Sequence, residues 1–269
     1  MKQEELDSIL ASDKYHQKRA KITDKTHAFH LREVEYHCPI CGKELESRFQ
    51  KKRNKRYEIA HIYPNRPTIE QYERLHTLER LGDNSESYEN KIALCKDCHD
   101  QQDYHTTVEE YLRLLEIKKV LLKKELMQYE TSTMNLEEEI EFVVKKIVLA
   151  RTDSLPKLKY DAVAVKNKIE NSYTLLLAKV VAYVINYYPY IQNLFNQMDG
   201  ENHFVFSVLC GEIKNCFIKL NDITDDKELI FNELVKWIQT KTGSTSISAC
   251  EAVISFFIQD CEVFYEITE

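Results

Sequence analysis

The sequence predicts a mainly α fold with a small α+β part near its N-terminus. After Thr107, apolar residues recur every three or four positions, which is the spacing of one helix face. Between Tyr36 and His105, short apolar pieces alternate with polar loops, and a Cys-x2-Cys pair lies near each end of this stretch. We therefore expect two domains, one at residues 1–106 and an all-α domain at residues 107–269.

The first domain is expected to begin with a helix and to contain a pair of strands. The charged, weakly periodic stretch from Glu4 to Ala20 predicts an exposed helix. A turn at 38–42 is followed by two strands, around 44–49 and 57–62, which we expect to pair with one another. A short helix is expected to begin near 95–97.

The second domain is expected to contain five to seven helices. Two apolar stripes at helical spacing predict helices that include Tyr111 and Ile140. Further helices are predicted at 157–187, 204–219 and 226–241.

Local residue chemistry predicts where some of these helices start and end. Gly243 follows the stretch 226–241, in the position where a glycine commonly ends a helix. Two residue pairs have the spacing of a capping box and predict helix starts: Asn135 with Glu138, and Ser248 with Glu251.

The charge of the chain is unevenly distributed. The formal net charge is −7. Residues 1–106 carry 19 Lys and Arg against 19 Asp and Glu, whereas residues 107–269 carry 18 against 25. A neutral first half can still present a local basic groove, but the acidic second half is not expected to be the main surface for a nucleic acid.

Four of the eight cysteines form two Cys-x2-Cys pairs, Cys38 with Cys41 and Cys95 with Cys98. Four thiolates in two such pairs suit a tetrahedral metal, and Zn²⁺ is the usual occupant. The long stretch between the pairs exceeds the spacing of a minimal zinc finger. We therefore expect a structural zinc that encloses an inserted module.

The other four cysteines are scattered among apolar residues, as reduced core thiols are: Cys210, Cys216, Cys250 and Cys261. Disulfides persist in oxidising compartments, and paired zinc-type cysteines with isolated core thiols are typical of reducing ones. This pattern favours a cytoplasmic location.

Two further motifs accompany the cysteine pairs. One is Ala-His-Ile-x-Pro around His61, directly after a predicted strand, and the other is Asn-x4-Cys-x2-Cys-His from Asn90 to His99. In combination, these motifs resemble the HNH endonucleases, the ββα-metal family, in the variety that carries zinc knuckles. The resemblance covers about residues 36–105 and does not extend to the remainder of the chain.

The resemblance implies a role for each matching residue. His61 matches the general base that removes a proton from the attacking water, a role that suits a neutral imidazole near pH 7. Asn90 matches the asparagine that ties the loop to the hairpin and orients this base. His99 matches a ligand of the catalytic divalent ion, Mg²⁺ or Mn²⁺, which would stabilise the phosphorane and the leaving 3′-oxygen.

One position departs from the family pattern. Many members carry a metal ligand directly before the base histidine, but here that residue is Ala60. Asp103, one helical turn after His99, is the replacement we favour, and Glu58, two residues before Ala60 on the same strand face, is the alternative. The missing ligand also leaves open a catalytically inactive site.

A basic run lies between the first cysteine pair and the strand that carries His61. Six cations occur within nine residues, without an acid: Arg48, Lys51, Lys52, Arg53, Lys55 and Arg56. We expect these side chains to contact DNA phosphates without reading sequence, and Arg66 is a weaker candidate for the same surface. The alternative is a solvated hairpin tip.

The apolar stripes of the second half predict a helical core and do not indicate chemistry of their own. Its longest apolar run, Leu175 to Ile185, is too short to cross a bilayer, so no membrane is expected. We expect this domain to bind a protein partner, such as an ATPase or a sensor, or to form a homo-oligomer. The role itself is not fixed by the residues.

The sequence therefore predicts a metal-dependent endonuclease that hydrolyses DNA phosphodiester bonds. Restriction or antiviral defence under control of the helical domain is expected by analogy with other HNH effectors. Two alternatives stay open. One is a non-catalytic zinc-knuckle module that binds DNA, and the other is a regulatory subunit that works through residues 107–269.

Overall fold

The computed structural model describes the chain except for residues 47–55, 106, 135, 137–138, 152–154, 156–161, 202–204, 261–262 and 268–269. The described residues form two compact units, Met1–Glu125 and Leu126–Glu269. Most of the described residues are helical, and they include one two-stranded sheet. The predicted fold class, mainly α with a small α+β part, is confirmed.

The first unit contains four short helices and the sheet: α1 (Gln3–Ser12), α2 (Asp24–Glu33), β1 (Tyr57–His61), α3 (Ile69–Leu75), β2 (Lys91–Cys95) and α4 (Lys96–His105). The single helix expected from Glu4 to Ala20 is wrong in its second half. The backbone is extended at Asp13, so the helix ends there. Tyr15 is buried in the core, and its backbone carbonyl accepts a hydrogen bond from the Ser85 N–H at 2.7 Å.

The pairing of the strands also differs from the expectation. β1 pairs antiparallel with β2, with Tyr57 opposite Cys95 and His61 opposite Lys91, and the described residues 44–46 are not part of this sheet. Within the described part of that segment, Glu44 makes an isolated bridge with His37, and residues 47–49 lie outside it. The physical reason is burial, because every residue of β2 is buried and its backbone groups need partners.

The helices that follow the sheet are α4 and then α5 (Val108–Ser132), α6 (Glu139–Leu149), α7 (Val163–Lys168), α8 (Thr174–Glu201), α9 (Val205–Ile223), α10 (Lys227–Thr242) and α11 (Ile247–Asp260). In the described residues after Thr107, α5 to α11 thus agree with the expected five to seven helices. The helix expected at 157–187 is wrong as one element. Helix α7 ends at Lys168, and Ile169 is extended and buried. Helix α8 begins only at Thr174.

The division between the compact units lies inside α5, later than the boundary expected at residue 106. The reason is that Tyr111, Leu114 and Leu115, in the first turns of α5, are buried in the core of the first unit. The boundary therefore follows packing and not the change in sequence character.

Two helix ends can be compared with the predicted signals. Gly243 has φ +62° and ends α10, as expected. The Ser248 and Glu251 pair is misplaced, because α11 already begins at Ile247 and the Oγ of Ser246 accepts from the Ala249 N–H at 3.3 Å. The Asn135 and Glu138 pair lies outside the described residues.

The second unit is organised around α11, which packs against α6, α7, α8 and α10. Residues 252–258 of this helix are all buried, so α11 is the central helix of the unit. Phe256 stacks on Tyr188 of α8, with ring centroids 4.8 Å apart. Residues 252–258 of α11 therefore contribute to the core of the second unit.

Helix α8 contains a stretch, Thr174–Gly200, that is long and apolar enough to cross a membrane by length and composition. Core helices of soluble proteins meet the same criterion. Only 28% of its most apolar window is buried, but Val180, Val184 and Tyr188 pack into the core along one face. This helix alone therefore does not indicate a membrane protein, and the cytoplasmic location stays a prediction.

Candidate functional site

The first cysteine pair lies in a tight turn. The Gly42 N–H donates to the Cys38 carbonyl at 2.8 Å, and the Cys38 N–H donates to the Lys43 carbonyl at 2.8 Å. Gly42 has φ +74°, a conformation that glycine adopts without strain. This turn directs Cys38 and Cys41 toward one point.

The second pair lies at the junction of strand and helix. Cys95 is the last residue of β2, and Cys98 lies in the first turn of α4. Lys43 and Asp97, one from each pair's segment, form an exposed ion pair at 2.5 Å. The change from strand to helix folds the chain back so that both sulfurs face the first turn.

The four sulfurs of Cys38, Cys41, Cys95 and Cys98 lie within 4.8 Å of one another, and the Sγ atoms of Cys41 and Cys95 are 3.6 Å apart. A tetrahedral zinc with Zn–S bonds of about 2.3 Å places its sulfurs about 3.8 Å apart. The predicted grouping of these four residues is confirmed, and the group can hold a structural metal such as zinc.

The acid–base chemistry of the four thiols supports a bound cation. Burial raises the pKa of Cys95 and of Cys98, whereas a backbone hydrogen bond at Lys43 lowers the pKa of Cys41 to about 7. Four adjacent thiolates repel one another, so they cannot all ionise without a compensating charge. A dication supplies that charge, which makes this donor set a good fit to zinc.

The other described cysteines are not part of this group. Cys216 and Cys250 are buried free thiols, as expected, and Cys210 is half-buried. Cys261 lies outside the described residues. Among the described residues, Cys210, Cys216 and Cys250 are therefore not members of the candidate metal centre.

His61 is held by a carboxylate. It is the last residue of β1, it is 7% exposed, and its Nε2 lies 2.8 Å from Oε1 of Glu86. Burial lowers the pKa of His61, and the hydrogen bond to Glu86 opposes this effect without cancelling it. The imidazole is therefore neutral at pH 7, the form that a general base requires.

Asn90 is a fully buried bridge between two loops. Its Oδ1 accepts from the Tyr63 N–H at 2.8 Å, and its Nδ2 donates to the carbonyls of Tyr63 and Ser85, both at 3.0 Å. Its own carbonyl accepts from the Ile62 N–H at 2.8 Å. Three of these bonds fix the segment directly after His61, and the fourth ties this segment to the loop at Ser85.

His99 lies one residue after Cys98 in α4 and is 7% exposed. Its Nδ1 is 3.1 Å from Oε2 of Glu58, and its Nε2 is 3.5 Å from Oδ2 of Asp103. The structure thus brings both candidate replacement ligands to His99, one on each side of the ring. Ala60, where the family ligand is missing, is fully buried.

These carboxylates do not converge on a single point. Within the described part of the chain, the four cysteines are the group in which three or more His, Cys, Asp or Glu ligand atoms lie mutually close. Glu58 and Asp103 are half-exposed, so water can complete a coordination shell on either side of His99. A second metal would be held here by few protein ligands.

Two contacts at this site were not predicted. Glu86 lies in a polar loop, where no spacing distinguishes a functional acid from a solvated one. Gln102 of α4 donates from Nε2 to the carbonyls of His61 at 2.5 Å and Ile62 at 3.2 Å. Gln102 lies three residues after His99 on the same helix face, and this spacing in the sequence could have identified it as part of the site.

The basic run is only partly described. Residues 47–55, which include Arg48, Lys51, Lys52, Arg53 and Lys55, lie outside the described residues. Arg56 is exposed and lines a surface depression with Lys43 and Lys96 beside the cysteine group. Arg66 is exposed as well. A basic surface for DNA stays a prediction.

Comparison with known proteins assigns the second half of the chain. Residues 127–264, slightly more than half of the chain, match a family described as C-terminal domain 11 of the ABC-three component (ABC-3C) systems. A search of curated proteins gives no match. The family match does not extend to His61, Asn90 or His99.

Proposed function

Since the chain belongs to the family of C-terminal domain 11 of the ABC-three component systems, we propose that it is the nuclease effector of such a system. In this proposal, the first unit hydrolyses DNA with a divalent ion, and the second unit joins it to the other components. The system would act in antiviral defence, where a nuclease has to stay inactive until it is triggered.

The observation that carries the nuclease proposal is the arrangement of β1, β2 and α4 around the three motif residues. β1 ends at His61, β2 begins directly after Asn90, and α4 presents His99. The antiparallel pairing of β1 with β2 places His61 opposite Lys91, the residue after Asn90. This ββα order supports a base and a metal ligand that act on one phosphodiester.

The chemistry of the chain's own residues follows from these positions. Neutral His61 takes a proton from water, and the water oxygen attacks phosphorus while the bond to the 3′-oxygen breaks. Asn90 fixes the segment at Tyr63, and Gln102 fixes the backbone of His61 itself. Mg²⁺ or Mn²⁺ beside His99 would neutralise charge on the phosphate and on the leaving oxygen.

The metal ligand that we propose beside His99 is Asp103. A histidine that binds a metal through one ring nitrogen commonly donates the other N–H to a carboxylate. Oε2 of Glu58 lies 3.1 Å from Nδ1, close enough to serve as that carboxylate, and Asp103 lies beside Nε2. His99 and Asp103, whose Nε2 and Oδ2 atoms lie 3.5 Å apart, would hold a divalent ion that neutralises charge on the phosphate.

A non-catalytic DNA-binding module is the second candidate function. Ala60 favours it, because the residue that commonly supplies a metal ligand is here a buried methyl group. A regulatory subunit that acts through its helical unit is the third, favoured by the family match. Both alternatives predict that a variant without the His61 imidazole behaves like the wild type on DNA.

The test is incubation of plasmid with Mg²⁺ or Mn²⁺, with the protein alone and with the other components of its system. Wild type is compared with His61→Ala. Nicking by wild type that His61→Ala abolishes supports the effector. Equal nicking by both proteins, or none by either when the other components and a trigger are present, removes the catalytic assignment.

A further inference from the structure

Glu86 is the most completely bonded carboxylate near His61. Its side chain is 11% exposed and accepts hydrogen bonds at both oxygens. Oε1 lies 2.8 Å from His61 Nε2 and accepts from Asn65 Nδ2 at 3.2 Å. Oε2 accepts from Lys91 Nζ at 2.7 Å and from the Ala20 N–H at 3.0 Å.

These partners determine where the proton of His61 lies. The amide of Asn65, the ammonium of Lys91 and the N–H of Ala20 are all donors, so both oxygens of Glu86 act as acceptors. Burial raises the pKa of Glu86, but the hydrogen bond from Lys91 and the other bonds outweigh it and the pKa is lowered. Opposite an ionised carboxylate, His61 Nε2 carries a hydrogen and donates it.

A neutral imidazole has one N–H and one free lone pair. With the hydrogen on Nε2, the lone pair is on Nδ1. Among the described residues, none makes a hydrogen bond to Nδ1 of His61. Gln102 holds the carbonyl of the same residue, so the ring and the backbone are both fixed.

We propose that Glu86 is a positioning residue that fixes His61 in its Nε2–H form, so that Nδ1 is the atom that accepts the proton of the attacking water. This inference rests on the proposed nuclease function. The water proton moves to Nδ1, the water oxygen forms the new bond to phosphorus, and the bond from phosphorus to the 3′-oxygen breaks. Glu86 touches neither water nor phosphate.

The direct test is long-range ¹H–¹⁵N NMR of the full chain with ¹⁵N-labelled histidine, and His61→Ala assigns the signals. The wild type at pH 7.5 is expected to show His61 neutral, with the hydrogen on Nε2 in slow exchange with water. Hydrogen on Nδ1, or on both nitrogens, would overturn the proposal. This measurement needs no substitution at Glu86 and no DNA cleavage.

The second arm uses Glu86→Gln, with Glu89→Gln as the matched control for loss of one nearby carboxylate. Glu86→Gln is expected to lose the slow exchange of the Nε2 hydrogen and to lower the cleavage rate about 10- to 100-fold, while Glu89→Gln does neither. Added to His61→Ala, Glu86→Gln is expected to cause no further loss. An additional loss in that background, or wild-type exchange and rate in Glu86→Gln, would overturn the role.

The two arms separate this inference from the nuclease proposal. If no protein cuts DNA under any condition, the proposed function fails, and the NMR result alone decides whether Glu86 sets the tautomer. If the wild type cuts DNA and His61 carries its hydrogen on Nδ1, the nuclease proposal stands and the role of Glu86 is refuted.

Discussion

Nδ1 of His99 lies 3.1 Å from Oε2 of Glu58, across the space between α4 and β1. Glu58 and Ala60 are two residues apart on β1, so their side chains leave the strand on the same side. Glu58, two residues before the position where the family pattern places a metal ligand, therefore presents a carboxylate on the same side of β1. It meets the ring of His99 at the nitrogen opposite Asp103.

The two carboxylates around His99 are expected to differ in their effects. Asp103→Asn should raise the Mg²⁺ or Mn²⁺ concentration for half-maximal cleavage by about 10- to 100-fold, because it removes a charged ligand. Glu58→Gln should have a smaller effect, since the amide oxygen can still accept from Nδ1–H. Metal titrations of plasmid nicking measure both effects. A larger effect of Glu58→Gln than of Asp103→Asn would assign the ligand role to Glu58.

The cysteine group is expected to hold about one zinc per chain and to stabilise the first unit. Cys95→Ser should lose the metal and unfold Met1–Glu125, while the helices of Leu126–Glu269 stay largely folded. Zinc analysis and hydrogen exchange of each unit test this, with Cys210→Ser as a control outside the group. A metal-free protein with unchanged melting would contradict the prediction.

The pH dependence of cleavage is expected to follow His61. Burial holds its pKa below the ordinary 6.5, so the neutral base forms as pH rises through that lowered value. Single-turnover nicking should therefore rise on the acid side and be level from about pH 6.5 upward. An acid limb with its midpoint above 6.5 would contradict the prediction.

The lowered pKa of His61 also makes the free energy of unfolding depend on pH. The folded-state pKa of His61 is lower than the unfolded value, so the unfolded chain binds the proton more readily. The contribution to stability is thus present above about pH 6.5 and is lost as pH falls. Chemical denaturation of wild type and His61→Ala at pH 5 and 7.5 measures this difference.

We expect the other components to contact the exposed face of α8. Leu175 is 80% exposed and Ile185 is 38% exposed, although both are large apolar residues. Replacing both with Glu should leave the fold intact and prevent co-purification with the co-expressed components. Ile9→Glu, a similar change on α1, is the control, and unchanged assembly of the double variant would exclude this face.

Motifs of residues close in sequence could be predicted from the sequence, whereas the pairing of strands far apart in sequence could not. The Cys-x2-Cys spacing predicted the metal group, and Asn90 and His99 were singled out by their resemblance to the family motif Asn-x4-Cys-x2-Cys-His. The pairing of β1 with β2 was not predicted, because β2 lies across a long loop from β1 in the sequence. Helix α2 was missed because His30 and Leu31 are its buried residues, too few to form an apolar stripe.

Glu86 shows a further limit of sequence reasoning. Its importance depends on four donors from Ala20, His61, Asn65 and Lys91, which the fold brings together from separate segments. No periodicity or motif connects these positions. Such a site becomes visible only when the distances are known.

We propose that His61 is the base of a DNA-cutting site. The most direct test of this proposal is the single-turnover rate of plasmid nicking by the chain assembled with the other components, for wild type, His61→Ala and His76→Ala. His76 is an exposed histidine at the end of α3 and serves as the matched control. We predict a loss of about 10²- to 10⁴-fold for His61→Ala and none for His76→Ala. Equal rates for all three proteins would contradict the account.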